Sequence, residues 1–290
     1  MSYDLEVTAP APPDWRALRQ LVGLDDLRAQ PDDLDEGIWP EGGLKTWRAG
    51  RSVRMTDVDW KAGKLRITLR ALPSPDDCDL ALRLTEAAAR LVGAAKIEAD
   101  YFPEIAVGEL RRLHTGDWMR EQAESGTRVM AAMIREGRGP MGMPGPNRTC
   151  YIGERLLAEL EAAGPPERLT DRVLATMRRV QWDVPPDFRD AGVFVSGGDG
   201  GQGRETRFAV WLPDENLVIP RVDYVALRVP EGGIVMVPFD AVAALSGSHG
   251  ALLDECQLLV RAMGPDEWKA VIGRARPLAK SPRQSTSQKQ

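Results

Sequence analysis

The glycine-rich run at residues 198–203, Gly-Asp-Gly-Gly-Gln-Gly, has the spacing of a dinucleotide-binding loop. Such a loop holds a pyrophosphate because a helix begins at its end and points its positive dipole at the phosphates. Here the residues that follow, from Arg204 to Leu212, have the composition of a strand. The pattern therefore predicts a connection within a hairpin, and we expect no cofactor.

Pairs of a nucleophile and a base are the next source of chemistry. The chain has two histidines, His114 and His249, and either could serve Cys150 as a base. A thiol in an apolar stretch is more often a small buried residue. In the run Ser246-Gly247-Ser248-His249-Gly250 a hydroxyl stands beside an imidazole. Adjacent residues rarely reach the geometry of a nucleophile and its base, so this run predicts a turn. No Cys-x-x-Cys or His-Glu-x-x-His spacing occurs, so we expect no metal site.

An anion-binding set offers an alternative reading of the chain. Arg148, Tyr151 and Arg155 lie close together in sequence. Arginine presents a planar fork of donors that matches a carboxylate or a phosphate. Together the three residues would suit an enzyme with an anionic-substrate site between two lobes. Salt bridges at the start of a helix are the competing interpretation of the two arginines.

A short acidic run is a candidate for binding a partner protein. Its members are Asp32, Asp33, Asp35 and Glu36, with Trp39 close behind them. Tryptophan anchors interfaces because it buries a large area while keeping one polar group. The formal net charge is −5, and acidic surfaces attract basic partners over long distances. These features favour a protein partner, and in particular a basic one.

Met141 and Met143 form a second candidate contact. They lie in the segment 137–147, where four glycines and three prolines disfavour regular structure and predict a loop. Methionine suits adaptable binding surfaces because its unbranched side chain repacks easily. The competing interpretation is a linker whose methionines cover the sheet.

The first hundred residues show an order of elements that predicts a fold. Residues 2–8 alternate polar and apolar side chains as a half-buried strand does. Asp14 and Ser74 have the character of helix caps, and residues 47–60 and 64–72 read as a hairpin with its turn at 61–63. The resulting order is strand, helix, two strands, helix, strand. It predicts an α+β fold with a ferredoxin-like βαββαβ lobe over residues 1–102.

Three further segments follow this lobe. Residues 103–190 show helical periodicity that is interrupted by the 137–147 loop. Residues 191–276 predict an antiparallel sheet followed by two helices, the first over residues 251–263. Residues 277–290 are polar, and we expect them to form a disordered tail.

Composition excludes several classes of protein. The chain is 43% hydrophobic and 28% charged, which is ordinary for a soluble protein, and no apolar run approaches the roughly 20 residues of a membrane span. Asp4 and Glu6 lie where a secretory signal would have a basic region and an apolar stretch, so we expect a cytoplasmic location. Three widely spaced cysteines predict reduced thiols. The net negative charge disfavours nucleic-acid binding. We expect the strand arginines to lie on a solvated face with acidic partners; they are Arg48, Arg51, Arg54, Arg66 and Arg70.

Two short stretches resemble known proteins. Residues 1–5, Met-Ser-Tyr-Asp-Leu, resemble the opening of small bacterial proteins of unknown function, some of them in immunity or toxin-associated gene neighbourhoods. Residues 148–156, Arg-Thr-Cys-Tyr-Ile-Gly-Glu-Arg-Leu, are similar to a family signature. The resemblance implies a bacterial cytosolic protein that binds another protein.

Together these features predict a non-enzymatic protein-binding module, with immunity to a toxin as one such role. The acidic balance, the eight tryptophans and the lack of a convincing catalytic set carry this expectation. The enzyme with an anionic-substrate site is the alternative. A homodimer that pairs the sheets of two first lobes is a third.

Overall fold

The structure is a computed structural model that describes residues 2–31, 39–196 and 205–279. The chain divides into two compact units, Met1–Asp183 and Val184–Gln290. Both units combine helices with largely antiparallel sheets. The predicted α+β class is therefore confirmed. The expected tail lies outside the described residues from position 280 onward.

The described residues of the first unit contain nine strands and six α-helices. In chain order these are β1 (Tyr3–Thr8), α1 (Trp15–Val22), β2 (Leu27–Gln30), β3 (Leu44–Arg48), β4 (Thr56–Lys61), β5 (Lys64–Leu69), α2 (Pro75–Val92), β6 (Lys96–Ala99), β7 (Phe102–Ala106), α3 (Leu110–Leu113), α4 (Gly116–Arg135), β8 (Met141–Pro144), β9 (Thr149–Ile152), α5 (Glu154–Ala162) and α6 (Leu169–Trp182).

Seven of these strands form one sheet in the order β2-β3-β4-β5-β1-β6-β7. Strand β1 is antiparallel to both of its neighbours, β5 and β6. Helix α2 connects β5 to β6 and packs across β1, β3, β4 and β5. The ferredoxin-like assignment is not confirmed, because β2 and β7 widen the sheet and the segment 44–60 supplies two strands where one was expected.

Local sequence signals account for several element boundaries. The Asp14 side chain accepts hydrogen bonds from two backbone N–H groups of α1, and Ser74 forms a capping box with Asp77 at the start of α2. Ala62 and Gly63 have φ values of 53° and 79° between the paired ends of β4 and β5. Two such residues make the tight turn whose twist matches its strands. The predicted helix starts and this turn are confirmed.

One face of the seven-stranded sheet is covered by α1 and α2. Alternate side chains of β1 and β5 point into this core, as the two-residue period of a strand requires. The fully buried members include Leu5, Val7, Leu65 and Ile67. The other face is left to polar side chains.

A buried loop interrupts the strand that was predicted over residues 47–60. The Ser52 hydroxyl accepts from the Arg48 N–H at 2.9 Å, and Trp182 of α6 donates to the Ser52 carbonyl at 2.8 Å. Residues 49–55 are therefore fastened to another helix and leave the sheet. Hydrophobic periodicity cannot reveal such a tertiary constraint, and the prediction of one continuous strand is wrong.

The segment 137–147 is not simply a loop, because β8 lies within it and pairs with β9. Pro144 stands at the end of this two-stranded ladder, where a missing N–H costs little. A β-carbon at Gly142 would lie 3.0 Å from the Tyr151 ring. The glycine and the proline thus occupy positions that a short hairpin accepts, and the prediction is wrong for residues 141–144.

The described residues of the second unit form eight strands and two α-helices. They are β10 (Arg189–Asp190), β11 (Val193–Ser196), β12 (Thr206–Trp211), β13 (Leu217–Pro220), β14 (Tyr224–Arg228), β15 (Ile234–Pro238), α7 (Phe239–Ser246), β16 (Gly250–Leu252), β17 (Gln257–Val260) and α8 (Pro265–Ala275). The strands form two sheets, β10-β13-β17-β16 and β11-β12-β14-β15. Both sheets and both helices contribute to one core.

Two expectations for this unit are wrong. Residues 251–263 are not a helix, because β16 and β17 pair antiparallel there. The Asp254 carboxylate accepts from the Cys256 N–H at 2.8 Å and from the Gln257 side chain at 2.6 Å. This side-chain turn offers the backbone an alternative to a helix. The strands are also not a simple antiparallel meander, since β12 pairs in parallel with β14.

In the part of the chain that the structure describes, no helix has both the length and the apolar composition that crossing a membrane requires. The three cysteines are buried and none is in a disulfide.

Candidate functional site

The sheet β11-β12-β14-β15 has one face on the core and one open face. Ala209 and Trp211 of β12 point into the core and are 0% exposed. Phe208 and Val210 alternate with them and therefore lie on the open face. The outward side chains are aligned across the four strands, and we call the apolar ones the apolar face; they are Phe194, Phe208, Val210, Ala226, Ile234 and Met236. A solvated sheet face ordinarily carries polar side chains, so this composition is unusual.

A groove of about 620 Å³ runs along the apolar face. Ile234 at its rim is 66% exposed. Phe194 is 50% exposed and stacks on Phe208, with ring centroids 5.4 Å apart. Contiguous exposed apolar surface on a protein marks a binding site, and this volume lies in the range of known binding pockets.

A second groove of about 500 Å³ continues the first one around Arg228. The two grooves share Leu212 and Arg228 in their linings. Met263, Trp268 and three prolines give the second groove a largely apolar wall, which also contains Asp214. Within the described residues the Arg228 guanidinium makes no ion pair. The face therefore combines two apolar depressions with one exposed cation between them.

The core holds the backbone beneath Arg228 in place. The Trp268 indole N–H donates to the Arg228 carbonyl at 2.8 Å. The same indole packs edge-on against the buried Trp211, with ring centroids 5.2 Å apart. These contacts tie α8 to the end of β14. Because strands of fixed backbone form its floor, the groove is preformed.

Strand β11 is an edge of this sheet. Among the described strands it pairs with β12 alone. Its side chains are exposed on both faces, with Phe194 at 50% on one face and Val193 and Val195 at 38% and 55% on the other. An apolar edge of this kind offers backbone N–H and C=O groups to another chain. Phe194 connects this edge to the apolar face.

The open face of the seven-stranded sheet in the first unit has the opposite chemistry. We call its outward side chains the charged face; they include Asp4, Glu6, Asp57, Asp59, Lys64, Arg66, Thr68 and Arg70. Glu6 accepts from Lys64 at 3.0 Å and from Arg66 at 2.7 Å. Arg70 binds both carboxylate oxygens of Asp57, at 2.7 and 2.8 Å.

The protonation of Glu6 reflects this pairing. Burial raises the pKa of the Glu6 carboxyl, but hydrogen bonds from Lys64 and Arg66 outweigh burial, so its pKa lies below the ordinary value. The expected acidic partners of Arg66 and Arg70 are confirmed. Arg48 and Arg54 do not lie on this face, because both are buried near the 49–55 loop.

Asp77 and Arg54 form a buried polar cluster at the start of α2. One carboxylate oxygen of Asp77 accepts from the Ser74 N–H and hydroxyl at 2.8 Å each, and from the Arg54 N–H at 3.3 Å. Burial raises the pKa of Asp77 to about 6, although the bonds from Ser74 oppose this, and burial lowers the pKa of Arg54 to about 10. Shifts of this size occur at catalytic sites and in structural networks. Since the bonds of Asp77 hold a helix cap and a loop, we assign it a structural role.

His114 is a buried structural histidine. Its Nδ1 donates to the Leu110 carbonyl at 2.8 Å, so Nε2 accepts from the Tyr3 hydroxyl at 2.7 Å. Burial lowers the pKa of His114 and raises the pKa of Tyr3. Both nitrogens of the neutral ring are engaged, so His114 is not poised as a base for Cys150.

The predicted partner-binding residues have different positions. Asp32, Asp33, Asp35 and Glu36 lie outside the described residues. Trp39 is partly buried against the core of the first unit. Met141 is half-buried in β8, whereas Met143 is buried. Met143 therefore fits the interpretation in which the methionines cover the protein's own surface.

The predicted anion-binding residues belong to the hairpin β8–β9 and to α5. Gln181 binds the Arg148 backbone: its amide oxygen accepts from the Arg148 N–H at 3.2 Å and its amide group donates to the carbonyl at 2.7 Å. Tyr151 lies in β9. Arg155 pairs with Glu159 one turn along α5, at 2.6 Å, which is the helix salt bridge of the competing interpretation. A site between the lobes stays a prediction.

The remaining motifs have structural partners or lie outside the described residues. Residues 198–203 are outside them, and the element that follows is the strand β12. The Ser246 hydroxyl donates to the Ala243 carbonyl at 2.9 Å, while His249 lies 3.1 Å from Glu267. Across the described ranges, no cluster of three or more His, Cys, Asp or Glu side chains could hold a metal ion.

Sequence reasoning misses the apolar face. The strands β12, β14 and β15 are apolar at inward and outward positions alike, a pattern typical of strands buried on both faces. The available signal is this lack of alternation. It indicates a second covered face but does not say what covers it.

Comparison with family models, with curated proteins and with solved structures found no match. The functional assignment therefore depends on the geometry of this chain.

Proposed function

We propose that the protein is a non-enzymatic binding module that uses the apolar face to bind another protein. The observation that supports this is the face itself, on which apolar side chains occupy the positions that water would otherwise reach. Burying a Phe, Ile or Met side chain in a complex is worth roughly 1.5–3 kcal/mol. A few of these side chains suffice for a specific complex, since a small number of anchors supply most of the binding energy.

Within this proposal the partner is basic and the role is immunity to a toxin in the bacterial cytoplasm. The net charge of −5 and the acidic run at residues 32–36 support a basic partner. The resemblance of residues 1–5 to the opening of small bacterial proteins, some of them in immunity or toxin-associated gene neighbourhoods, supports the immunity role. Charge attraction raises the rate of encounter, and apolar contacts slow dissociation. The two features would therefore serve different steps of one binding event.

The test compares the wild-type protein with Ile234→Glu and with the control Leu252→Glu. Leu252 is 41% exposed on β16, in the other sheet of the same unit. Each protein is used to capture partners from a lysate of the cells that naturally produce it, with quantification by mass spectrometry. We expect one stoichiometric partner that the control retains and that Ile234→Glu binds at least about tenfold more weakly, because a charge in the interface must be desolvated.

The captured protein is then produced alone and titrated against all three proteins. Equal binding to the three would place the interface elsewhere and contradict the proposal. A dimer of this chain that Ile234→Glu dissociates, seen by sedimentation, would show that a second copy covers the face. Neutralising all four acids at 32–36 should reduce the association rate and its salt dependence; unchanged values would exclude a charge-steered basic partner.

A further inference from the structure

The length of the first groove indicates an extended occupant. Its lining follows alternate residues of β12 and its continuation, from Thr206 through Phe208 and Val210 to Leu212. Six residue steps of about 3.3 Å give a length of about 20 Å. A compact small molecule would fill only part of this length. A polypeptide segment of six or seven residues in extended conformation would span it.

Arg228 indicates the charge of that segment. It is the one cation among the described residues that line the two grooves. An apolar segment without an acid would cover this guanidinium and remove its water without replacement, which costs free energy. A carboxylate meets the planar fork with two parallel hydrogen bonds. Asp214 in the second groove disfavours a second acid there.

Building on the proposed function, we infer that the apolar face binds an extended segment of the partner whose carboxylate pairs with Arg228. Apolar side chains of that segment lie in the two grooves on either side of the pair. The apolar contacts supply affinity, and the ion pair sets the register because it excludes segments with no acid at that position. A partner that is basic overall needs only one local acid to satisfy this arrangement.

The experiment selects a phage-displayed library of random twelve-residue peptides on the full-length protein. Wild type, Arg228→Glu, Ile234→Glu and a control, Arg207→Glu, are used in parallel. Arg207 is exposed on β12 but faces away from the groove. Thermal unfolding confirms that each variant is folded. The best peptide is synthesised and titrated by fluorescence anisotropy.

We expect wild type and Arg207→Glu to select apolar peptides with one central Asp or Glu. Arg228→Glu should bind the synthetic peptide at least about tenfold more weakly, and exchanging the peptide acid for Lys should restore that loss. Such a charge exchange reports a direct pair, which a general change in the protein would not reproduce.

Different results would contradict the inference about Arg228 and the proposed binding function. Enriched peptides that lack an acid, require Ile234 and ignore Arg228→Glu would overturn the inference and leave the binding function standing. If no peptide is enriched, or if the enriched peptides bind Ile234→Glu as well as wild type, the result would count against the inference and against the proposed function.

Discussion

The charged face and the apolar face are both open sides of sheets whose opposite sides pack on a core, yet their chemistry is opposite. On the charged face, Arg70 binds both oxygens of Asp57, and Glu6 joins two cations. On the apolar face, Phe208, Ile234 and Met236 stand where such pairs would be expected. Exposure to water is favourable for the charged face and unfavourable for the apolar face.

This difference separates a surface that stabilises its own fold from one that is suited to a partner. Cross-strand ion pairs stabilise a sheet without any other molecule. Exposed apolar side chains contribute little to the stability of the isolated chain. They become stabilising only when another surface covers them. Substitutions that remove ion pairs from the charged face should therefore affect folding. Polar substitutions on the apolar face should affect binding.

The largest expected effect concerns the affinity for an uncharged apolar dye, N-phenyl-1-naphthylamine. We expect the triple variant Phe208→Thr, Ile234→Thr, Met236→Thr to bind it at least about tenfold more weakly, because each change removes apolar surface from the groove. A fluorescence titration measures this. The control Glu6→Gln, Arg66→Gln should bind the dye as wild type does. Equal losses in both variants would remove the distinction between the faces.

An intermediate effect concerns the free energy of unfolding. Asp57→Ala should lower it by about 1 kcal/mol, because the half-buried fork of Arg70 loses both acceptors. Arg228→Ala should change it by less than about 0.5 kcal/mol, since that guanidinium has no acidic partner in the described chain. Urea unfolding, with hydrogen exchange at β5 and β14 amides, assigns each effect to its unit. A large loss for Arg228→Ala would give the apolar face a structural role.

The smallest expected effect concerns pH. The folded-state pKa of Glu6 lies below its ordinary value of 4.5, so its ionised form stabilises the fold above pH 4.5. That contribution is lost as the pH falls below 4.5 through the folded pKa. Wild type should exceed Glu6→Gln in unfolding free energy at pH 7, and the difference should vanish in acid. A difference that stays constant down to pH 3 would show that the carboxylate charge is not involved.

Much of the first unit was predictable from local signals. The cap at Asp14, the capping box at Ser74 and the turn at Ala62–Gly63 act through neighbouring residues, so their effect is visible in a short stretch of sequence. The 49–55 loop was not predictable, because Trp182 holds it from a distance of 130 residues in the chain. The strands β16 and β17 were mistaken for a helix because short apolar runs suit either structure.

The candidate site shows the same division between local and tertiary information. Strict alternation in β1 and β5 determined which side chains of the charged face would meet water, because a strand directs successive residues to opposite sides. The strands β12, β14 and β15 determined only that both of their sides would be apolar. Which side the core would cover, and which would remain open around Arg228, was decided by the packing of α7 and α8 with the second sheet. That choice depends on contacts between distant segments, and no local pattern encodes it.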